Sequence, residues 1–320
     1  MSNGFILDFE KPLVELEKKI EELKRFAAEK NMDMSGEIEP LERRAAELAR
    51  EIMSKLDPWQ RVMIARHPKR PTFYDLVGMI FQDFLELHGD RHFRDDPALA
   101  GGLAWLDGRA VTVLGEQKGR DTKEKILRNF GQPHPEGYRK AMRLMEQAAK
   151  FKRPVICIVD VAGAYPGIEA EERQQGEAIA RNLRDMSMLP VPIVVVITGE
   201  GGSGGALATG VGDRVYLLEH AYYSVITPEG CASILWKDAG KAPHAAKALR
   251  FNTEDLLRLG VIDGSIAEPL GGAHHDPAQT AANIKEIVLT ALAELDRFSP
   301  TELVEERYRR FRRLGVFATS

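Results

Sequence analysis

Apolar residues at the start of the chain recur at alternating steps of three and four. Leu13, Leu16, Ile20, Leu23 and Ala27 form one such row, and Ile38, Leu41, Ala45, Leu48 and Ile52 form a second. This is the spacing of a helix with one buried stripe. Pro12 suits a first helical turn, and Asn31-Met32-Asp33-Met34-Ser35-Gly36 interrupts the pattern. Charged residues fill the other faces, with pairs such as Glu21 and Arg25 one turn apart. The pattern predicts an antiparallel helical hairpin over residues 1–56, closed on its own chain or a partner. The heptads are too few for an extended coiled coil.

Asp57 to Pro71 is basic and bounded by prolines, and reads as a linker. Beyond it, over 57–320, the periodicity alternates between that of strands and that of helices. Tyr74 to Leu87 reads as a helix. Gly102 to Leu106 and Ala110 to Leu114 read as a hairpin around Asp107-Gly108. Glu136 to Phe151 is amphipathic, with Tyr138, Met142, Met145 and Ala149 on one side. Pro154 to Val161 and Pro192 to Ile197 are near-continuous apolar runs, as in strands covered on both faces. Glu169 to Met188 reads as the helix between them. Val215 to Leu218 and Tyr223 to Ile226 follow as strands, and Thr227-Pro228-Glu229 opens a capped helix. The prediction is an α/β fold with parallel crossovers.

Composition narrows the class. The 320 residues are 44% hydrophobic and 29% charged, as in a soluble globular protein. A net charge of −4 gives no general attraction to nucleic acid or anionic membrane. Neither a secretory signal nor an apolar run of bilayer length is visible. The two cysteines, Cys157 and Cys231, are far apart and form no C-x-x-C pair. These features predict a cytoplasmic protein whose own cysteines build no zinc site.

The candidate chemistry lies in Thr198-Gly199-Glu200-Gly201-Gly202-Ser203-Gly204-Gly205-Ala206-Leu207-Ala208, between an apolar strand and a small-residue helix. Three readings are open. Gly199 to Gly204 satisfies G-x-G-x-x-G, with Glu219 placed as a ribose-binding acid for a dinucleotide. Gly201 to Gly205 satisfies G-x-S-x-G, with Ser203 as nucleophile, Asp213 or Asp238 as acid and His220 or His244 as base. The third reading uses backbone N–H groups alone. A second glycine turn, Gly163-Ala164-Tyr165-Pro166-Gly167, ends the preceding parallel strand. Two such turns side by side can direct several N–H donors at one developing oxyanion. Only this reading accounts for both turns.

Longer blocks carry a resemblance. They are Glu116 to Lys125, Asn129 to Lys140, Gly163 to Gly167, Gly199 to Ala206, Ser224 to Ala232 and Glu268 to His274, with Leu87-His88-Gly89-Asp90-Arg91 before them. In this order, over nearly the whole chain, they resemble the carboxyltransferase α subunits of bacterial multi-subunit acetyl-coenzyme A carboxylases. The resemblance implies a crotonase-like ββα superhelix. It implies carboxyl transfer from carboxybiotin to acetyl-coenzyme A, giving malonyl-coenzyme A for fatty acid synthesis. The biotin would sit on a separate biotin carboxyl carrier protein, loaded by a biotin carboxylase. A β subunit carrying the zinc ribbon would complete an α2β2 assembly. By resemblance, the backbones of Gly204 and Gly205 form an oxyanion hole on the biotin side. Gly163, Ala164, Tyr165, Gly167, Gly201, Gly202, Ser203 and Ala206 would line the same site. The chain departs from the family at Asp160-Val161-Ala162, where Asp-Thr-Pro is usual, and at Glu116, where histidine is common. A stand-alone acyl-coenzyme A hydratase or hydrolase on the same fold is the alternative.

Other features bear on partners. Lys118, Arg120, Lys123, Lys125 and Arg128 suggest a basic cluster for coenzyme A phosphates or an acidic partner surface. His274-His275 offers two adjacent imidazoles and no evident third ligand, so no metal site is expected in this chain. Arg307, Arg309, Arg310, Arg312 and Arg313 predict a basic helix rim at a subunit contact.

Overall fold

A computed structural model describes residues 5–315. The hairpin forms as predicted, from α1 (Lys11–Lys30) and α2 (Ser35–Ser54). Leu13, Ile20, Ala45 and Ala49 are buried between the helices, flanked by Leu16, Ile38, Leu41, Leu48 and Ile52. Asn31 ends α1 in the left-handed conformation, with φ 50°. Lys24 forms an ion pair with Glu42 across the hairpin, at 2.6 Å.

The expected linker is instead structured. Asp57 caps α3 (Pro58–Ala65) by accepting the Gln60 N–H, and the Gln60 side chain accepts the Asp57 N–H in return. Val62, Ile64 and Ala65 are buried. The predicted helix from Tyr74 is also corrected. Helix α4 (Phe73–Ile80) stops where Phe81 turns extended, and β1 (Gln82–Glu86) follows. Gly102 lets β1 lie close: a Cβ there would meet the Leu85 and Glu86 backbone.

Strands β2 (Leu99–Leu106) and β3 (Arg109–Glu116) form the expected antiparallel hairpin. Helix α5 (Thr122–Leu127) and helix α6 (Pro135–Lys150) lead to β4 (Val155–Val161). The crossover to β5 (Ile193–Gly202) is two helices rather than one, α7 (Ile168–Glu172) and α8 (Gln175–Ser187). They part at Gln174, whose φ is +67°. Helix α9 (Ser203–Leu207), β6 (Arg214–Leu218) and β7 (Tyr222–Ser224) follow β5. The remainder comprises α10 (Pro228–Trp236), α11 (Ala242–Leu249), α12 (Thr253–Arg258), β8 (Gly264–Ile266), α13 (Pro277–Leu295) and α14 (Pro300–Arg312). Thr227 caps α10 as predicted, accepting the Gly230 N–H.

The sheet runs β1-β2-β3-β4-β5-β6-β8, with β7 pairing the far end of β5. It is antiparallel through β3 and parallel from there on. Both central strands are buried on both faces, which accounts for their unbroken apolar runs. Helix α6 covers β2 and β3 with Tyr138, Ala141, Met142 and Met145, and α13 adds Ile284, Val288 and Leu292 to the core.

The C-terminal arginines are not a uniform rim. Arg307 is buried and pairs with Asp213 at 2.8 and 2.9 Å, while also donating to the carbonyls of Met186, Leu189 and Val191. Arg310 pairs with Asp263. Only Arg309, Arg312 and Arg313 lie in the exposed part of the segment.

Candidate active site

Residues Ile193 to Ile197 pair with β4 along one edge, and Val194 to Ile197 pair with β6 along the other. The strand does not end at Ile197 as predicted. It continues to Gly202, leaving β6 and pairing with β7 through Glu200, Gly201 and Gly202. Opposite it, β4 advances from Val159 to Val161 while β5 advances from Ile197 to Gly201, a bulge that bends β5 outward.

Glycine permits this path. A Cβ on Gly199 would lie 2.7 Å from Asp160 Cγ; without one, the Glu200 N–H donates to Asp160 Oδ1 at 2.8 Å. A Cβ on Gly205 would lie 2.6 Å from Ala164 N and 2.7 Å from Gly163 C. The two glycine segments therefore meet backbone to backbone, as the third reading required. Ser203 turns the chain from strand to helix with φ +53°. The backbone amides of Ser203, Gly204 and Gly205 begin α9 and have no acceptor four residues earlier within that helix.

The accessible part is narrower than the predicted set. Gly163, Ala164, Tyr165, Gly167, Ser203 and Gly204 are half-buried, whereas Gly201, Gly202, Gly205 and Ala206 are buried. Tyr165 is held from below: its N–H donates to Pro133 O at 3.0 Å, and its ring lies 4.4 Å from that of His134. Gln175 Nε2 donates to Pro133 O and Tyr165 O, so the helix break at Gln174 fastens the second glycine turn. An apolar cavity of about 240 Å³ opens beside Ser203, between Leu207, Tyr223 and Val225.

Beneath the glycines is a charge network. Glu200 accepts from Arg66 Nε at 2.7 Å, Lys118 Nζ at 2.7 Å and the Tyr222 hydroxyl at 2.5 Å. Lys118 also pairs with Asp160 at 2.6 Å, and Arg66 with Glu229. Burial pushes the Glu200 carboxyl up, but Lys118 and Arg66 overcome it and hold it at about 2. Arg70 donates to Thr198 O at 2.6 Å and forms a buried two-point pair with Glu268. Glu116 lies deeper, accepting the Asp160 N–H at 3.2 Å and the Thr209 hydroxyl at 3.3 Å; burial raises its carboxyl to about 8.

Arg66 and Arg70 were missed because their segment was read as a linker. The Asp57-Pro58-Trp59-Gln60 start followed by Val62 and Ile64 was the overlooked signal. Several members of the predicted basic cluster are engaged within the chain. Lys118 is committed to Asp160 and Glu200, Arg120 pairs with Asp75, and Arg128 donates to Pro97 O and stacks on Tyr74. Lys123 is exposed, and among the described residues it makes no ion pair.

The competing readings fare less well. The glycines of G-x-G-x-x-G lie largely inside β5, where Gly199 and Gly201 accommodate Asp160 and Tyr223 rather than a pyrophosphate. Glu219 accepts the Glu268 N–H. For a hydrolase, Ser203 has the strained backbone of a nucleophile elbow. Asp213, however, is bound to Arg307, and Asp238 caps Gly240. Among the described residues, no histidine or carboxylate hydrogen-bonds to the Ser203 hydroxyl.

Solved structures share this arrangement of elements. The transcarboxylase 12S core, with methylmalonyl-coenzyme A bound, superposes with a TM-score of 0.56 at 20% identity, over 69% of this chain and 40% of that one. A Pseudomonas malonate decarboxylase hetero-tetramer in complex with coenzyme A gives 0.55 at 18%, over 68% and 89%. The fold is crotonase-like. The family model described as acetyl co-enzyme A carboxylase carboxyltransferase-like matches residues 6–315. The carboxyl transferase subunit alpha of acetyl-coenzyme A carboxylase from Thermus thermophilus is 58% identical over 98% of this chain and 99% of its own. Its counterpart from Geobacter metallireducens is 55% identical over 99% and 100%. With the two glycine segments in backbone contact and the similarity spanning residues 6–315, this protein belongs to the acetyl-coenzyme A carboxylase carboxyltransferase α-subunit family.

Proposed function

We propose that this chain is the α half of a carboxyltransferase that moves a carboxyl group from carboxybiotin to acetyl-coenzyme A, forming malonyl-coenzyme A. The carrying observation is the backbone contact of Gly205 with Gly163 and Ala164, which leaves Gly163 and Gly204 at an accessible surface. Backbone donors fixed in this way stabilise an oxyanion without reorganising during reaction. The accessible glycine backbone suits the ureido oxygen of biotin. Carboxybiotin would supply the carboxyl group and, on release, a ureido oxygen that gains negative charge.

In this reading Gly204, backed by Gly205 and the Gly163 turn, donates to that oxygen. The Lys118–Asp160–Glu200–Arg66 network holds the two turns in register. The roles proposed for Gly163, Ala164, Tyr165, Gly167, Gly201, Gly202, Ser203 and Ala206 are to shape the approach. The enolate of acetyl-coenzyme A would be held by a β subunit. Val225, Ile234 and Leu235 are all more than half exposed, the kind of apolar surface a partner covers. We assign residues 1–56 and 57–320 to two domains, the biotin to a separate carrier protein loaded by a biotin carboxylase, and the complex to the cytoplasm. No described helix is long and apolar enough to cross a membrane. The test is malonyl-coenzyme A decarboxylation with a biotin derivative, using the chain alone and then with β. Activity is expected only in the mixture. Turnover by the chain alone would favour the stand-alone enzyme.

A further inference from the structure

The structure brings a carboxylate to the His274-His275 pair that is not evident in sequence. Glu10, in the short turn before α1, lies beside both histidines. One ligand atom from each of the three residues falls within 4.8 Å of the other two. Glu10 is only 6% exposed. Its Oε2 accepts the Leu7 N–H at 3.1 Å, while its Oε1 is buried with no hydrogen-bond partner among the described residues. The Nδ1 of His274 is likewise buried, with no partner among the described residues. Buried polar atoms are normally paired, so two orphans in one cluster call for an explanation.

The loop is shaped to present this pair. Gly271 and Gly272 adopt φ +93° and +106°, which turns the chain sharply before His274. The His67 ring stacks on His274 at 3.7 Å and fixes its plane. Ala273 N donates to Glu268, the carboxylate clamped by Arg70. Two imidazoles and a carboxylate form the donor set of a zinc-type ion. Bond lengths near 2.0–2.1 Å and tetrahedral angles place ligand atoms about 3.3 Å apart. The three ligand atoms already lie within 4.8 Å of one another, and the exposed His275 is the one whose side chain must turn to close that gap.

We propose that Glu10, His274 and His275 bind one divalent transition-metal ion of the zinc type, tying the root of the N-terminal hairpin to the loop after β8. This site is separate from the glycine segments and does not depend on the proposed reaction. The inner face of the hairpin already borders this loop across a cavity of about 510 Å³, lined by Leu13, Ile20, Ala49, Leu270 and His275. An ion here would fasten the root of the hairpin to that loop.

The test uses the full chain, stripped with a chelator and freed of it. Cobalt(II) is titrated while visible absorption is followed, and zinc(II) is then added in competition. We expect one ion per chain at micromolar concentration, visible bands of a low-coordinate site displaced by zinc, and a zinc-dependent rise in Tm. His275→Ala and Glu10→Gln should each weaken binding at least tenfold and remove the Tm response. His275 is exposed, so its variant should retain the wild-type circular dichroism. A wild-type chain that binds no ion at micromolar concentration would overturn the proposal. So would stoichiometric binding that survives both substitutions.

Discussion

Gly163 provides the sharpest test of the backbone-donor reading. Its φ lies outside the left-handed region, and a Cβ built there meets no atom of the described residues within 4 Å. The chain itself therefore has no steric need for glycine at this position. If glycine is required, the requirement comes from whatever approaches the backbone. Gly163→Ala should leave the fold intact and raise stability by about 0.4–1 kcal/mol, because alanine restricts the unfolded chain. Losing one well-placed oxyanion donor costs about 10²–10³ in rate, or ~2.7–4 kcal/mol of transition-state stabilisation. A methyl group that holds the reacting oxygen away from this turn should bring kcat down by about a hundredfold. The assay is malonyl-coenzyme A decarboxylation by the complex with β, alongside thermal unfolding and gel filtration. Lower kcat with unchanged or raised Tm and normal assembly is expected. Activity within threefold of wild type in a folded complex would refute the reasoning, since the methyl would then occupy space that no ligand uses.

Further outcomes follow from neighbouring geometry. Gly204→Ala should behave like Gly163→Ala in assay and melting, because its Cβ would meet only Ile179, at ordinary contact distances of 3.5 and 3.6 Å. Gly205→Ala should instead destabilise the protein by about 1–3 kcal/mol in urea titration, since its Cβ would press on the Gly163 and Ala164 backbone. Lys118→Met leaves the largely buried Asp160 and Glu200 facing each other and should cost about 3 kcal/mol, read as a shift in urea midpoint. Glu116 has a folded-state value of about 8 against an ordinary 4.5. The folded state therefore holds the extra proton, and wild-type stability should fall as pH rises from 4.5 through 8. Glu116→Gln should be the more stable protein above pH 8 and match wild type below 4.5; a pH-independent difference in urea midpoint would count against a buried neutral acid.

Several elements were determined by the sequence alone because their signals are local. The hairpin follows from two rows at helical spacing, the β2–β3 turn from Asp107-Gly108, and the central strands from apolar runs that only double-sided burial explains. Both glycine turns, and their adjacency across one parallel crossover, were also legible. Other features required the tertiary structure. Periodicity could not separate α4 from β1, because Leu85 is an exposed edge residue whose place is set by pairing with β2. The extension of β5 through Gly202 depends on β7, which lies twenty residues further on. Nothing near Arg66, Arg70 or Lys118 in sequence names their partners, which come from β4, β5, α10 and the loop after β8. Glu10 meets His274 and His275 across more than two hundred and sixty positions. Turn preferences and burial periods are written in neighbouring residues, whereas the pairing of charges and ligands depends on which elements the sheet and its helices bring together.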